Sequence, residues 1–247
     1  MRMLYNVIYI EFKLFLRTFV NVFFSLVFPS MMLLIFGGIY GNEPSDMFQG
    51  HGTVDVSVPA YIAMIIAVTG IMSLPLSVSG YRERKILKRL KVTPINPFYI
   101  LLSQIIVNFI MTVLGMVILF LVGEIVFRLN LIGDFFDVLV AFILSTLSIF
   151  SIGFVISSFS QNMKFAMVIA NIVYFPMLFL SGATVPQEIM PKLMINISKA
   201  IPLTYVVELL KGVWLGKDLS EFSKEILVLC GILIVCTTIS VKKFKWE

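Results

Sequence analysis

The sequence predicts an all-α membrane protein with six transmembrane helices. Of its 247 residues, 59% are hydrophobic and only 13% are charged, and the mean hydropathy is +1.01; a soluble domain carries about 25% charged residues. Apolar runs of about 18 residues or more recur along the chain, which is long enough for a helix to cross the hydrocarbon core. The alternating pattern of a membrane β-barrel is absent. Because no long hydrophilic stretch interrupts this pattern, residues 1–247 are predicted to form a single membrane domain.

The first predicted element is an amphipathic N-terminal segment, residues 1–18. Apolar residues alternate there with polar and charged ones. The apolar set is Met3, Leu4, Val7, Ile8, Ile10, Phe12, Leu14 and Phe15. This pattern favours an interfacial helix that lies at the inner membrane surface before the first span. The alternative interpretation is a frayed N-terminus that is merely positively charged.

Six spans follow, and their limits are set by the apolar runs. The spans are predicted at about 19–40, 57–80, 98–123, 138–159, 165–185 and 226–241. Their interiors contain no Asp, Glu, Lys or Arg, and a charge at mid-span costs about 2.5–3.5 kcal/mol on insertion scales. The spacing of Gly37 and Gly41 in the first span is typical of close helix approach.

The distribution of basic residues predicts the orientation. With a cytoplasmic N-terminus, thirteen of the nineteen Lys and Arg residues fall on the inside and six on the outside. The inside set is Arg2, Lys13, Arg17, Arg82, Arg84, Lys85, Lys88, Arg89, Lys91, Lys164, Lys242, Lys243 and Lys245. The positive-inside rule therefore predicts a multi-pass protein with both termini in the cytoplasm. The lysine-rich composition and the lack of a recognisable signal peptide suit a bacterial plasma membrane.

The predicted outer segment, residues 186–225, is too long and too apolar for a solvated hairpin. Apolar residues recur at helical spacing from Ile189 to Ile197, and a second helical run extends from Leu203 to Leu215. We therefore expect an outer helical segment of short re-entrant or interfacial helices, which is possible where protein or water covers the freed backbone groups.

Enzymatic chemistry finds little support in this sequence. The single histidine, His51, cannot build a zinc site, and no pair of carboxylates lies at membrane depth. No Gly-Lys-Ser/Thr occurs, so the chain has no Walker A motif with which to bind ATP. Uphill work would then draw on an ion gradient or on a partner.

Few polar groups are candidates for a transport path. The possible path-lining residues are Asn108, Glu124 and Asn171. Hydrogen bonds between helices are the other explanation for the two asparagines and for Gln104. Glu124 and Arg128 stand at i, i+4, where they could form an ion pair that marks the end of the third span.

Residues 81–94 form a compact basic segment between two apolar spans. Three interpretations are open: a topology determinant that binds anionic lipid head groups, a nucleic-acid patch, and a docking helix. Nucleic acid is disfavoured, because the segment is tied to the membrane at both ends and has no aromatic platform beyond Tyr81. A docking helix is supported by the small apolar face of Ile86, Leu87 and Leu90 and by a stop at Thr93-Pro94.

These motifs resemble those of ABC transporter permeases of the type-2 exporter class. The first match is Arg82-Glu83-Arg84 with Leu87-Lys88-Arg89-Leu90 and Val92-Thr93-Pro94; the second is Leu180-Ser181-Gly182-Ala183-Thr184-Val185-Pro186, followed by Met190-Pro191, Ile201-Pro202-Leu203-Thr204-Tyr205 and Gly216. The resemblance covers essentially the whole chain.

The resemblance implies a permease that pairs with a second copy or a similar chain around a central path. A separately encoded ABC ATPase, which would bind ATP and Mg²⁺, would dock on a cytoplasmic coupling helix at 83–93, with a smaller contact at 160–164. The implied ATPase-coupling residues are Arg82, Glu83, Arg84, Ile86, Leu87, Arg89, Leu90, Thr93 and Pro94. The implied outer gate segment contains Ser181, Gly182, Pro186, Pro191 and Pro202.

The cargo expected for such a permease is a drug, an antimicrobial peptide or a lipid-linked amphipathic molecule. The chain itself would hold no cofactor and catalyse no reaction. The alternative function is a gradient-driven carrier or channel without an ATPase, which is disfavoured because ionisable groups are nearly absent from the spans.

Overall fold

In the computed structural model, six helices among the described residues are long and apolar enough to cross a membrane, as the sequence predicts. The structure describes residues 2–45, 48, 50–86, 98–187 and 190–244. Within these ranges the chain is almost entirely helical, and the only strands are two-residue segments that pair in an antiparallel hairpin.

The elements follow one another in a simple order. Helix α1 is Arg2–Arg17, α2 is Phe19–Tyr40, strands β1 and β2 are Pro44–Ser45 and His51–Gly52, α3 is Thr53–Glu83, α4 is Phe98–Phe127, α5 is Phe135–Phe159, α6 is Met163–Leu180, α7 is Lys192–Ser198, α8 is Pro202–Trp214 and α9 is Ser223–Lys243. Helices α2 and α3 contain π-helical turns at Phe23–Val27 and Val68–Ser73, respectively. A 3₁₀ turn, Leu219–Phe222, leads into α9.

Helix α1 confirms that the N-terminal segment is helical and amphipathic. Phe15 is buried against Val107 and Met111 of α4, whereas Tyr5 and Tyr9 are exposed. This exposed apolar face is compatible with a position at the inner membrane surface. That position remains a prediction.

Helix α3 occupies the centre of the bundle and is buried along most of its length. Helices α2, α4, α5, α6 and α8 surround it. Its π-helical turn crosses α5 so closely that a Cβ atom on Gly153 would overlap the carbonyl oxygen of Gly70. In the same turn, the hydroxyl groups of Thr69 and Thr112 of α4 are 2.8 Å apart and share a hydrogen bond. Small residues and buried hydroxyls thus bring the backbones together, as is usual in membrane bundles.

The helix ends differ by a few residues from those predicted, because local caps extend or stop the helices. Helix α3 begins at Thr53, four residues early, since the Asn42 side chain accepts hydrogen bonds from the amides of Val54 and Asp55 at 3.0 and 3.2 Å. Helix α6 ends at Leu180, before the predicted limit of 185, and Gly182 then adopts the left-handed φ of 92°.

The two glycines of the first span have different roles. Gly37 makes a close helix contact, because a Cβ atom there would lie 2.7 Å from the ring of Phe127 in α4. Gly41 instead ends α2 with a φ of 69°, a conformation that favours glycine. The interpretation of this pair as a helix-contact motif is therefore correct for Gly37 and wrong for Gly41.

The segment between α6 and α9 contains the two predicted helices, α7 and α8, which meet at an angle of 97°. Helix α8 is packed into the bundle, with Leu203, Val206 and Leu209 buried. Its C-terminal end is fixed to the α4–α5 connection, where the amide of Gly133 donates to the carbonyl oxygen of Trp214 at 3.0 Å. The segment is helical as predicted, and its re-entry into the outer leaflet remains a prediction.

The crossing of α3 and α5 gives a stability test. Replacing Gly153 by Ala should lower the free energy of unfolding by about 1–3 kcal/mol, because the added methyl group overpacks the contact with Gly70. Gly231→Ala in α9 is the matched control: its Cβ meets nothing within 4 Å, and the change should be neutral or slightly stabilising. Thermal unfolding in detergent, followed by circular dichroism, measures both. Equal midpoints for the two variants would contradict the close crossing.

Candidate functional site

Arg82, in the last turn of α3, joins three segments of the chain at the predicted cytoplasmic end. Its Nη1 donates hydrogen bonds to the carbonyl oxygens of Ser157, at 2.7 Å, and Ser160. Its guanidinium carbon lies 5.1 Å from the ring centroid of Phe244, just after α9. The end of a helix presents unpaired carbonyl groups and the negative pole of the helix dipole, which favour a cation. Arg82 therefore holds the end of α3 against the ends of α5 and α9.

Glu83, the next residue, contacts the other end of the connection between α5 and α6. Its Oε2 accepts a hydrogen bond from the amide of Met163, the first residue of α6, at 2.9 Å. The Asn162 side chain accepts from the amide of Phe165 at 2.8 Å in the same helical turn. A carboxylate at a helix N-terminus is favourable because it pairs with the free amides and with the positive pole of the dipole. We call the group Arg82, Glu83, Ser157, Ser160 and Met163 the cytoplasmic junction.

The start of the predicted coupling helix at residue 83 is wrong. Glu83 is the last residue of α3, and Arg84 and Lys85 form a turn in which Lys85 has a left-handed φ of 55°. A residue in that conformation breaks the α-helix, so any helix in the remaining segment is separate from α3. Arg84 is exposed and Ile86 is half-buried. The other predicted coupling residues, Leu87, Arg89, Leu90, Thr93 and Pro94, lie outside the described residues.

A buried carboxylate next to the junction was missed by the sequence analysis. Glu11 of α1 is 8% exposed. It accepts hydrogen bonds of 2.5 Å from the Tyr81 hydroxyl and from Nε2 of Gln104. Burial raises the pKa of Glu11, and the two hydrogen bonds oppose that effect only in part. The available signal was its position on the apolar face of α1, three residues after Ile8 and four before Phe15.

The predicted outer gate residues lie along the connections that flank α7 and α8. Ser181 ends α6, and its carbonyl oxygen accepts a hydrogen bond from Nε2 of Gln187 at 3.1 Å. Gly182 has left-handed backbone geometry. Pro191 precedes the first residue of α7, and Pro202 is the first residue of α8, where a missing amide proton costs nothing. The prolines and the glycine therefore set the direction of the chain at the end of α6 and at the starts of α7 and α8.

A cavity of 760 Å³ opens beside this segment at the predicted outer end, and we call it the outer cavity. Residues from α2, α3, the connection after α6, α8 and the start of α9 line it. The gate residues Gly182 and Pro186 are part of its wall. Tyr61 of α3 and Phe222 contribute aromatic surface, and Glu208 of α8 contributes a half-buried carboxylate. The volume lies within the range of about 300–1,000 Å³ that is usual for small-molecule sites.

The three predicted path-lining residues are not brought together. Asn108 is buried inside the bundle, where its Nδ2 donates to the carbonyl oxygen of Gln104 in its own helix at 2.8 Å. Asn171 is half-buried on α6, and Glu124 is exposed near the end of α4. Glu124 is not positioned for the i, i+4 pair, because α4 ends at Phe127 and Arg128 has a left-handed φ of 53°.

The comparison with known proteins agrees with these features. The sequence profile of the ABC-2 type transporter family matches residues 4–215. The chain is 26% identical over 163 residues to the probable multidrug ABC transporter permease YbhR of Escherichia coli K12, which is 66% of this chain and 44% of that protein. It is 29% identical over 85 residues to nodulation protein J of Rhizobium leguminosarum bv. viciae, which is 34% of this chain and 33% of that protein.

A further similar protein is the probable multidrug permease YbhS of Escherichia coli K12, with 26% identity over 166 residues, 66% of this chain and 43% of that protein. The chain therefore spans less than half the length of the curated relatives that it matches. The names of YbhR and YbhS describe membrane permeases, which is consistent with a non-catalytic membrane subunit of a transporter.

The buried Glu11 predicts a pH-dependent stability. A carboxyl whose pKa is raised on folding stabilises the fold most below the pKa of the unfolded chain, and this contribution is lost as pH rises through the folded pKa. Glu11→Gln should therefore reduce the fall in thermal midpoint between about pH 4 and pH 7. Glu43→Gln, at an exposed glutamate of the opposite end, is the control and should keep the wild-type slope. An unchanged slope in the Glu11 variant would contradict the assignment.

Proposed function

This chain belongs to the ABC-2 type transporter family, and we propose that it is the membrane-spanning permease subunit of an ATP-driven exporter. A separate ABC ATPase would bind ATP and Mg²⁺ and supply the energy, since the chain contains no Walker A motif. We further propose that it works in a bacterial plasma membrane with both termini in the cytoplasm, as the distribution of Lys and Arg favours.

The cytoplasmic junction is the observation that carries this proposal. The basic segment after α3 and the short segment 160–164 are the two places where an ATPase is expected to dock. Arg82 and Glu83 connect them directly, through the carbonyl oxygens of Ser157 and Ser160 and the amide of Met163. A force applied to either docking site would therefore reach the ends of α3, α5 and α6 together.

Helix α3 provides the route from this junction to the outer cavity. It is one helix from Thr53 to Glu83, and its interior residues are close-packed, so it transmits displacement with little compression. Tyr61 near its beginning lines the outer cavity, and Tyr81 near its end binds Glu11. Closure of the ATPase pair would tilt α3 and change access at the outer end, where the gate segment would act as a lid.

A second permease copy, or a similar chain, would complete the transport path. Helices α2, α6 and α9 are the least buried of the described spans, and such a copy or lipid would cover their exposed apolar faces, which include Leu34 in α2, Ile172 in α6 and Ile234 in α9. The proposed cargo is a drug, an antimicrobial peptide or a lipid-linked amphipathic molecule. The names of two relatives as probable multidrug permeases support the first of these.

The docking assignment is tested by a charge placed in the basic segment. Leu90→Asp should abolish both ATP-dependent transport and co-purification with a co-expressed ABC ATPase, because a carboxylate would replace the apolar docking contact. Leu193→Asp is the matched control: Leu193 is 71% exposed on α7 at the predicted outer end, and its variant should still bind the ATPase. Membrane insertion is measured for both by fractionation.

Two variants of Glu83 distinguish a role in positioning α6 from a role as a charged contact. Glu83→Ala removes the acceptor for the Met163 amide and should abolish coupled transport, whereas Glu83→Gln keeps an oxygen acceptor and should retain most of it. Normal transport by both Leu90→Asp and Glu83→Ala would refute the coupling assignment. Transport that persists without any ATPase and stops with an ionophore would instead establish the gradient-driven carrier.

A further inference from the structure

A second cavity, of 350 Å³, opens at the predicted cytoplasmic end of the bundle, and we call it the inner groove. It lies between the bend that joins α1 to α2 and the start of α6, and residues of α3 and α4 complete its wall. Leu14, Val20 and Met167 line it and are exposed. Because α2 and α6 are among the least buried spans, a groove between them opens sideways, toward the lipid that would surround the bundle.

The wall of the inner groove changes from charged to apolar along the direction of the spans. Arg17 is the last residue of α1, and Arg84 follows the last residue of α3, so both lie at the predicted membrane surface. Leu76 lies about 12 Å before Arg84 along α3, toward the middle of the bundle. Val20 and Met167 are likewise inside the spans α2 and α6. A membrane lipid has the same order, with a charged phosphate at the surface and acyl chains below it.

Positive charge prevails at the mouth of the inner groove. Among the described residues, the charged ones that line it are Glu11, Arg17 and Arg84, and both arginines are exposed. The two carboxylate oxygens of Glu11 already accept hydrogen bonds from Tyr81 and Gln104. Burial raises the pKa of Glu11, which weakens its negative charge. The mouth therefore presents two cations against one weakened and hydrogen-bonded carboxylate, and it favours an anion.

The charges next to the groove keep this balance. Glu83 is exposed, and its carboxylate accepts a hydrogen bond from the amide of Met163. Lys85 and Lys164 are exposed cations that follow residues of the wall directly in the chain. One further carboxylate is thus offset by two further lysines. Arg84 is also close enough to the Tyr81 hydroxyl to interact with it electrostatically, which places its charge near the floor of the groove.

We propose that the inner groove binds one anionic phospholipid, whose phosphate group lies between Arg17 and Arg84. An acyl chain would then follow the apolar wall of Val20, Leu76 and Met167. Arginine binds phosphate through two parallel hydrogen bonds, and basic residues near the membrane surface attract anionic lipids. The bound lipid would connect α1 to α3 and α6 beside the cytoplasmic junction. This inference goes beyond the proposed transport function, because the binding requires neither ATP nor an ATPase.

The test uses the purified, delipidated full chain in detergent, without ATPase or nucleotide. The probe is radiolabelled dioleoylphosphatidylglycerol. One competitor is dioleoylphosphatidylcholine, which has the same chains but no net charge, and the other is glycerol 3-phosphate, an anionic head group without chains. We expect saturable binding that unlabelled phosphatidylglycerol displaces, that phosphatidylcholine displaces only weakly and that glycerol 3-phosphate does not displace. No saturable binding, or equal displacement by either competitor, would overturn the proposal.

Charge variants place the phosphate in the groove. Arg17→Gln and Arg84→Gln should each raise the Kd for phosphatidylglycerol by about fivefold, because each removes one basic residue from the phosphate site. Lys242→Gln is the matched control: Lys242 is exposed at the end of α9, on the same predicted face but outside the groove. It removes the same charge and should leave the Kd unchanged. Thermal midpoints establish that each variant is folded.

A steric variant places the acyl chain. Gly80 lines the groove, and a Cβ atom there would make an ordinary contact with the sulfur of Met163 at 3.9 Å. Gly80→Ala should therefore leave the Kd unchanged. Gly80→Phe adds a ring that would fill part of the groove without altering its charge, and it should weaken lipid binding by about tenfold or more. Wild-type affinity in Gly80→Phe would contradict the position of the chain.

The outcomes separate this inference from the proposed function. An unchanged Kd in both Arg17→Gln and Arg84→Gln overturns the groove assignment, whatever the transport assays show. An equal rise in Kd for Lys242→Gln would also overturn it, because the lipid would then be attracted by the basic face as a whole. Saturable, variant-sensitive lipid binding by a chain that fails to recruit any ATPase would support the groove and refute the exporter.

Discussion

Burial of α3 on nearly every side is the constraint on which the rest of the structure depends. A helix surrounded by other helices leaves no room for water, so its polar groups must find partners within the bundle. The hydroxyl of Thr69 meets this requirement with two partners: it lies 2.9 Å from the carbonyl oxygen of Ile65 in its own helix and 2.8 Å from the hydroxyl of Thr112 in α4. The surrounding helices must also come close, which Gly153 permits at the crossing with α5. Small residues and hydroxyl groups therefore determine the packing as much as apolar ones.

The same helix contributes residues to both candidate sites. Its first half supplies part of the wall of the outer cavity, and its last turn supplies Arg82 and Glu83 to the cytoplasmic junction. The connection between α2 and β1 and the α4–α5 connection fix its first turn, since Asp55 accepts hydrogen bonds from the side chain of Asn42 and from the amide of Asn130, both at 3.0 Å. Both ends of α3 are thus held by hydrogen bonds to other elements. In the proposed mechanism, these hydrogen bonds would keep the ends of α3 from fraying, so that a movement at one end is carried to the other.

The sequence predicts the parts of this fold that depend on composition and fails for those that depend on tertiary contact. The six spans follow from apolar length, and the helices α7 and α8 follow from local periodicity. The turn at Lys85 could not be predicted, because nothing in a run of helix-forming residues indicates a left-handed backbone. The partners of Glu11 could not be predicted either, since Tyr81 and Gln104 are 70 and 93 residues away along the chain.

Asn108 is polar at membrane depth as expected, yet its side chain donates a hydrogen bond within its own helix. Pro191 and Pro202 lie at the starts of α7 and α8, whereas the half-buried Glu208 of the cavity wall has no local sequence signal.

The π-helical turn at Val68–Ser73 has a consequence for the direction in which the end of α3 points. Each residue of an α-helix rotates the chain by about 100°, and a π-helical turn accommodates one residue more than an α-helical one. If residues 68–73 were regular α-helix, everything after them would lie about 100° further around the axis. Arg82 would then face away from the carbonyl groups of Ser157 and Ser160, while Tyr61, which precedes the turn, would keep its place. The π-helical turn therefore rotates the second half of α3 relative to the first. Because of this rotation, Tyr61 can line the cavity while Arg82 reaches the carbonyl groups of Ser157 and Ser160.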